Sequence, residues 1–240
     1  PETQSLEKLE MLRASGAKLI KVPAVPYRDE NNYIKFSARL AQELDEELPQ
    51  GAVWANQFDN TANRLSHFET TGPEIWDQTK GKLDAFVSAI GTGGRIAGVS
   101  QFLRQKKKDI MICLADPPGA ALYNYFVNGH LTAEGSSITE GIGQGRITDN
   151  LEGIQIDKAY RIPDQETIDV MFRLTREEGL FLGSSSGINV AASIRLAKEM
   201  GPGHCIVTIL CDSGTRYLSK LYNPEFLELK GLFFPQWLNQ

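Results

Sequence analysis

Histidine and cysteine are scarce in this chain. His67, His130 and His204 stand far apart, and Cys113, Cys205 and Cys211 are the only thiols. The scattered histidines give no metal-ligand spacing, so no metal site is expected. Three cysteines cannot all pair within one chain. Cys113 and Cys205 lie in or beside apolar strand-like runs, so reduced core thiols are expected rather than a disulfide framework. No apolar run approaches the ~18 residues of a membrane span, and no signal peptide opens the chain. A basic surplus is missing too: the net charge is −5, and the one basic run, 104–108, reads as a solvated helix end. Nothing electrostatic therefore points to nucleic acid. There is no initiator Met, and Pro1-Glu-Thr-Gln-Ser5 runs straight into a helical pattern, which reads as the middle of a domain.

What is present is ordinary for a soluble globular protein, with 41% hydrophobic and 23% charged residues. Helical and strand patterns alternate almost throughout. Helices are expected over 5–15, 33–47, part of 67–79, 95–104, 120–127, 164–178 (with Asp164 as N-cap) and up to residue 200 from a cap at Ser185 or Ser186. Strands are expected over 18–22, 52–54, 84–90, 110–115, 159–162 and 205–210. The tail from Tyr222 has no strong period. Apolar, non-alternating strands between helices predict an α/β fold, a parallel sheet with helices on both faces. Ligands in such sheets sit at the carboxyl ends of the strands. That edge is where the Gly91 turn, Asp116, the 184–187 turn and the 212–214 turn are expected.

The most informative stretch is Asp84-Ala-Phe-Val-Ser-Ala-Ile90 followed by Gly91-Thr-Gly-Gly94 and Arg95. A buried strand ends in three glycines within four residues, and helical spacing resumes with Ile96, Val99 and Leu103 on one face. Backbone N–H groups left bare at a helix start form a phosphate cradle. Neither the P-loop nor the dinucleotide spacing fits, because no Gly-Lys-Ser/Thr follows and Ile96 stands where a third glycine is needed. A side chain at Gly93 is expected to fill the cradle.

Taken in order, Asn56-Gln-Phe-Asp-Asn-Thr-Ala-Asn63, His67, Thr70-Thr-Gly-Pro-Glu-Ile-Trp76, Gly91-Thr-Gly-Gly94, Glu140-Gly-Ile-Gly143, Gly183-Ser-Ser-Ser-Gly187 and Asp212-Ser-Gly-Thr-Arg-Tyr217 resemble the cysteine synthase (O-acetylserine sulfhydrylase) family. The resemblance covers essentially the whole chain. It implies a fold-type II enzyme dependent on pyridoxal 5′-phosphate, of tryptophan synthase β-like architecture. Residues 1–58 would be a remnant of the smaller N-terminal α/β domain, itself incomplete. Residues 59–240 would be the larger, phosphate-binding domain.

The implied reaction is a β-replacement in which O-acetylserine and sulfide give cysteine and acetate. Cystathionine β-synthase-like chemistry is the alternative. Gly91, Thr92, Gly93 and Gly94 would hold the cofactor phosphate. Arg95 stands where the family usually has Thr, so a guanidinium would replace a hydroxyl contact if it turns inward. Ser185 would bond the pyridine nitrogen, Gln57 would help hold the substrate carboxylate, and Gly141 would lie in the substrate-facing loop. Asp212 and Ser213 would order Ser185 from behind. His67 is read as a capping or packing residue with no catalytic role. The family further implies a homodimer, a possible serine acetyltransferase partner, and a cytoplasmic location, or a mitochondrial one in a eukaryote.

One element of the resemblance is missing. The family's Schiff-base lysine lies in a Ser-x-Lys-Asp-Arg-like stretch, followed by a Ser-Gly-Asn-Thr-Gly carboxylate loop, and neither occurs here. No lysine of the chain has that setting, so no catalytic residue is assigned and the chain reads as N-terminally truncated. Unsupported apolar faces at Leu9, Leu12, Phe36 and Leu40 are expected. Two rivals remain: a non-catalytic short form retained as a binding partner, and an unrelated α/β nucleotide binder with Asp116 as its ribose acid.

Overall fold

The computed structural model describes residues 1–239. Its centre is a four-stranded parallel sheet of β1 (Ala85–Ala89), β2 (Met111–Asp116), β3 (Lys158–Arg161) and β4 (Ile206–Thr208), in the order β3-β2-β1-β4. β1 pairs Phe86 with Ile112 on one side and with Val207 on the other. The helices are α1 (Leu6–Ala14), α2 (Tyr33–Glu47), α3 (Ala62–Glu69), α4 (Thr71–Gln78), α5 (Gly94–Lys106), α6 (Leu122–Asn128), α7 (Asp164–Glu178), α8 (Ser184–Met200) and α9 (Pro224–Leu229).

Strand alternation assigns the two faces. Phe86, Ile112 and Leu114 point to one side, where Ile96, Val99 and Leu103 of α5 cover them with Ile75 of α4. Ala85, Val87, Cys113 and Ala115 point to the other, against Ile188, Ala191 and Leu196 of α8 and Val170 of α7. Small strand residues on that second face let α8 lie close. Each fully buried aliphatic side chain contributes about 1.5–3 kcal/mol relative to exposure. The carboxyl edge of the sheet is tied by Asn189 of α8, fully buried, which accepts from Ala89 N (2.6 Å) and donates to Ile209 O (2.8 Å). These bonds replace ladder bonds where β1 and β4 diverge.

Several expectations are corrected. Residues 18–22 and 52–54 form no strand; they run extended without a ladder partner among the described residues. A strand exists only through its neighbour, which local pattern does not reveal. The helix expected over part of 67–79 is present as α4, and the separate α3 before it ends at a break at Thr70 (φ −121°, ψ −71°). Asp164 is the first helical residue rather than the cap; its carboxylate instead accepts from Ile138 N (2.9 Å) and Ser137 Oγ (2.5 Å), anchoring the 135–150 loop. Neither Ser185 nor Ser186 caps α8, which starts one residue earlier at Ser184 after Gly183. In the tail, Asn223 caps the short α9 with its side chain.

The outer face of α7 carries a third cluster, in which Ile168, Met171 and Phe172 pack on Tyr217, Leu221 and Leu227. The N-terminal helix α1 buries none of its residues. Polar links hold it to the 213–220 segment instead: Ser5 Oγ donates to Arg216 O (2.6 Å), and Glu7 accepts from Ser219 N (2.6 Å) and Ser219 Oγ (2.8 Å). Leu12 is left 42% exposed.

Candidate active site

β1 ends at Ala89 and delivers residues 91–94 to the sheet's carboxyl edge, where α5 begins. Gly93 is the N-cap at φ +92°, a left-handed backbone that glycine adopts without steric cost. Among the described residues, the amides of Gly91, Thr92, Gly93, Arg95 and Ile96 donate to no protein acceptor. Gly94 N makes a long bond to Thr92 Oγ1 (3.4 Å). Thr92 is locked in place: its hydroxyl accepts from Asn63 Nδ2 (2.9 Å) and its carbonyl from Thr148 Oγ1 (2.7 Å). Bare donors at a helix N-terminus favour an anion.

The glycines are needed for close approach. A Cβ on Gly91 would lie 2.5 Å from the carbonyl oxygen of Gly141, and one on Gly94 would strike the Asn63 amide. The expectation for Gly93 is corrected here. Its Cβ would run into Leu151, beneath the turn, rather than fill the cradle.

The turn opens into a cavity of about 390 Å³ whose wall includes Gly91, Thr92, Gly93, Arg95, Gln57 and Gly141, and also Ser185 and Asp212. Four separate loops thus converge at one edge. Ser185 is 6% exposed and finds no hydrogen-bond partner among the described residues. Asp212 accepts from Tyr217 OH through Oδ2 (2.8 Å), while its Oδ1 is buried without a partner. Burial and the Asp212 carboxylate push the Tyr217 phenol well above its ordinary range, so it stays a donor. Gln57 is fixed through its backbone, its carbonyl accepting from Asn63 Nδ2 (2.8 Å).

Other predicted residues fall elsewhere. Ser213 lies outside the cavity wall and caps the following turn, accepting from Thr215 N (3.2 Å). Neither it nor Asp212 bonds Ser185; Ser186, the neighbour, is the one tied across the gap, accepting from Cys211 N (2.8 Å). Asp116 is fully buried and bonded to Tyr123 N (2.8 Å), away from the cavity wall, which removes the ribose-acid rival. Burial raises its pKa to about 6.

Sequence reasoning passed over Lys8, Glu140, Cys211, Arg216 and Tyr217, which also line the cavity. Glu140 and Tyr217 belong to quoted motifs and were within reach. Lys8 was not, because 132 residues separate it from the carboxylate that holds it. His67 lines the cavity as well, its Nδ1 2.9 Å from Thr71 Oγ1. Burial first, and then the charge of Arg95, lower its pKa.

The model of the family described as "Pyridoxal-phosphate dependent enzyme" matches residues 1–212. The chain belongs to that family. It is 49% identical over 237 residues to "Cysteine synthase 1" of Emericella nidulans, covering 97% of this chain and 63% of the relative. It is 48% identical to "Cysteine synthase 1" of Neurospora crassa, covering 97% and 62%. Among solved structures, an O-acetylserine dependent cystathionine beta-synthase from Helicobacter pylori superposes with a TM-score of 0.79 at 32% identity, over 92% of this chain and 67% of the other. The chain therefore spans a little over three-fifths of the length of the two fungal relatives.

The site fits the phosphate ester that the family name implies. Five unbonded amides suit a dianion, and the Ser185 hydroxyl on the cavity wall and the orphaned Asp212 Oδ1 suit a ring with polar edges. The match is incomplete at one point: Lys8 is the one lysine in the wall. Its Nζ is 2.9 Å from Glu140 Oε2 and 4.3 Å from the centre of the Tyr217 ring.

Proposed function

We propose that this chain is the phosphate-binding portion of a pyridoxal 5′-phosphate-dependent cysteine synthase, which converts O-acetylserine and sulfide to cysteine and acetate. The fungal relatives named cysteine synthase support the reaction. The observation that carries the site assignment is the convergence of the unbonded amides of Gly91, Thr92, Gly93, Arg95 and Ile96 and the Ser185 hydroxyl on one cavity. When bound, the cofactor supplies an electron-withdrawing ring that stabilises negative charge beside the substrate's amino group.

The chain's own residues do the holding. The amides of Gly91, Thr92, Gly93, Arg95 and Ile96 take the phosphate oxygens, with the α5 dipole behind them. Ser185 Oγ, a neutral donor on the cavity wall, would hold the ring nitrogen without giving it a full positive charge. Gln57 and Gly141 sit on the cavity wall, where they face the substrate. Asp212 fixes Tyr217 beside Ser185, and Ser213 shapes the turn that carries Asp212. In this reading residues 1–58 belong to the smaller domain and 59–240 to the larger one, and the working enzyme is a homodimer with serine acetyltransferase as a candidate partner. A cystathionine β-synthase-like acceptor is the second reading, favoured by the likeness to the O-acetylserine dependent cystathionine beta-synthase of H. pylori.

Lys8 is paired with Glu140, so among the described residues no unpaired lysine amine lines the cavity for covalent catalysis. The chain alone is expected to bind pyridoxal 5′-phosphate without turning over O-acetylserine. Calorimetric titration of wild type and Ser185→Ala tests this. About a tenfold loss of affinity in the variant, with little change in Tm, is expected from one lost hydrogen bond. Equal affinity would remove Ser185 from the site.

A further inference from the structure

Arg95 is a cation of the cavity wall that no carboxylate pairs with among the described residues. Arg95, second residue of α5, turns its guanidinium inward, with Nη1 3.7 Å from Cys211 Sγ across the cavity. The same charge bears on His67. Among the described residues no carboxylate oxygen lies within 4 Å of Arg95; the ion pairs of the chain are made by other residues. A thiol is a weak acceptor, and leaves most of the guanidinium's hydrogen-bonding capacity unused.

Lys8 is the opposite case. Glu140, with a side chain 7% exposed, pairs with Lys8 and also with Lys220. Burial alone would raise the Glu140 pKa, but hydrogen bonds from Lys220 and Lys8 outweigh it and leave it lowered. Lys8 therefore already has its partner. Among the described residues two cations of the wall, Arg95 and Arg216, make no ion pair, and of these Arg95 is the one carried by the turn itself, next to its unbonded amides.

An uncompensated, half-buried cation beside five free donors is stabilised by a dianion and by little else. Resting on the proposed reading of the cavity, we infer that Arg95 sets the ligand preference of this chain. It makes the cavity a charge-held site for pyridoxyl phosphate esters, whether or not the ester carries an aldehyde. The phosphate provides the recognition, and the ring carbon that carries the aldehyde or the alcohol provides none. Pyridoxal 5′-phosphate and pyridoxine 5′-phosphate, which differ only at that carbon, bind alike.

Calorimetry on the purified 240-residue chain tests this with four probes: pyridoxal 5′-phosphate, pyridoxine 5′-phosphate, pyridoxal and inorganic phosphate. The two esters are expected within about threefold of each other, and pyridoxal at least about a hundredfold weaker. Arg95→Thr weakens both esters by about tenfold or more, while Arg95→Lys, which keeps the charge but loses the fork, retains part of the affinity. Raising salt from about 50 to about 500 mM weakens wild type more than Arg95→Thr. Tm values for the variants separate ligand effects from unfolding. Pyridoxal 5′-phosphate binding more than about tenfold tighter than pyridoxine 5′-phosphate would overturn the inference, as would unchanged ester affinity in Arg95→Thr. In either case ester binding itself would leave the cavity assignment standing. If neither ester nor inorganic phosphate binds wild type, the cavity assignment falls and takes this inference with it.

Discussion

Replacing Gly93 with alanine isolates the cost of building the turn. Two penalties add. The backbone sits at φ +92°, where a Cβ costs roughly 1–2 kcal/mol. The new methyl also collides with Cγ and both Cδ atoms of Leu151, a side chain 2% exposed in the same cluster as Phe86 and Ile96. Overpacking of that kind costs typically about 1–3 kcal/mol. Gly93→Ala should therefore lose about 2–5 kcal/mol in urea unfolding. Leu151→Ala alone should lose about 2–5 kcal/mol through its cavity. The double variant should lose less than the sum by about 1–3 kcal/mol, because truncating Leu151 makes room for the methyl. Additive losses would show that the Cβ does not meet Leu151, and would refute the placement of the turn over the core.

Two further outcomes follow from buried polar groups. Asn189→Ala strands Ala89 N and Ile209 O and should cost about 2–4 kcal/mol, with amide exchange rising first at the carboxyl ends of β1 and β4; exchange rising elsewhere would contradict the tie. Asp116 has its pKa raised from 3.8 to about 6 by burial. The folded state then holds its proton more tightly than the unfolded state, so this group's share of stability is intact below about pH 4 and is lost as pH rises through about 6. Asp116→Asn should flatten that slope, improving stability at pH 8 relative to pH 4 by roughly 3 kcal/mol, and parallel pH profiles for wild type and variant would contradict it.

The sequence exposed those parts of the fold whose signal is local. The β1 run stops in glycines because the chain must turn at the sheet edge, and Ile96, Val99 and Leu103 repeat at helical spacing because α5 lies on Phe86 and Leu114. Residues 18–22 and 52–54 carry strand composition but no ladder, since pairing is a property of two segments. The cap at Ser185 or Ser186 failed for a related reason. Gly183 must approach Asp212 and Tyr217 too closely for a Cβ, so the helix starts early and the serines face inward. Gly91, Thr92, Gly93, Arg95, Gln57, Gly141, Ser185 and Asp212 were legible as candidates for the site and line one cavity, whereas Gly94 lies outside its wall. Ser213 was placed there by adjacency, yet its hydroxyl is spent on Thr215. Arg216 lies within the 212–217 motif, whereas Lys8 entered only through a contact distant in sequence, its bond to Glu140.

The central claim is that phosphate sits on the bare amides of the Gly91 turn. Nitrogen-15-labelled chain titrated with pyridoxal 5′-phosphate reads those amides individually by NMR. The largest shifts are expected at Gly91, Thr92, Gly93, Arg95 and Ile96, moving together and saturating with one Kd, and inorganic phosphate should move the same five. Saturable binding that leaves these amides in place and shifts others would contradict the account.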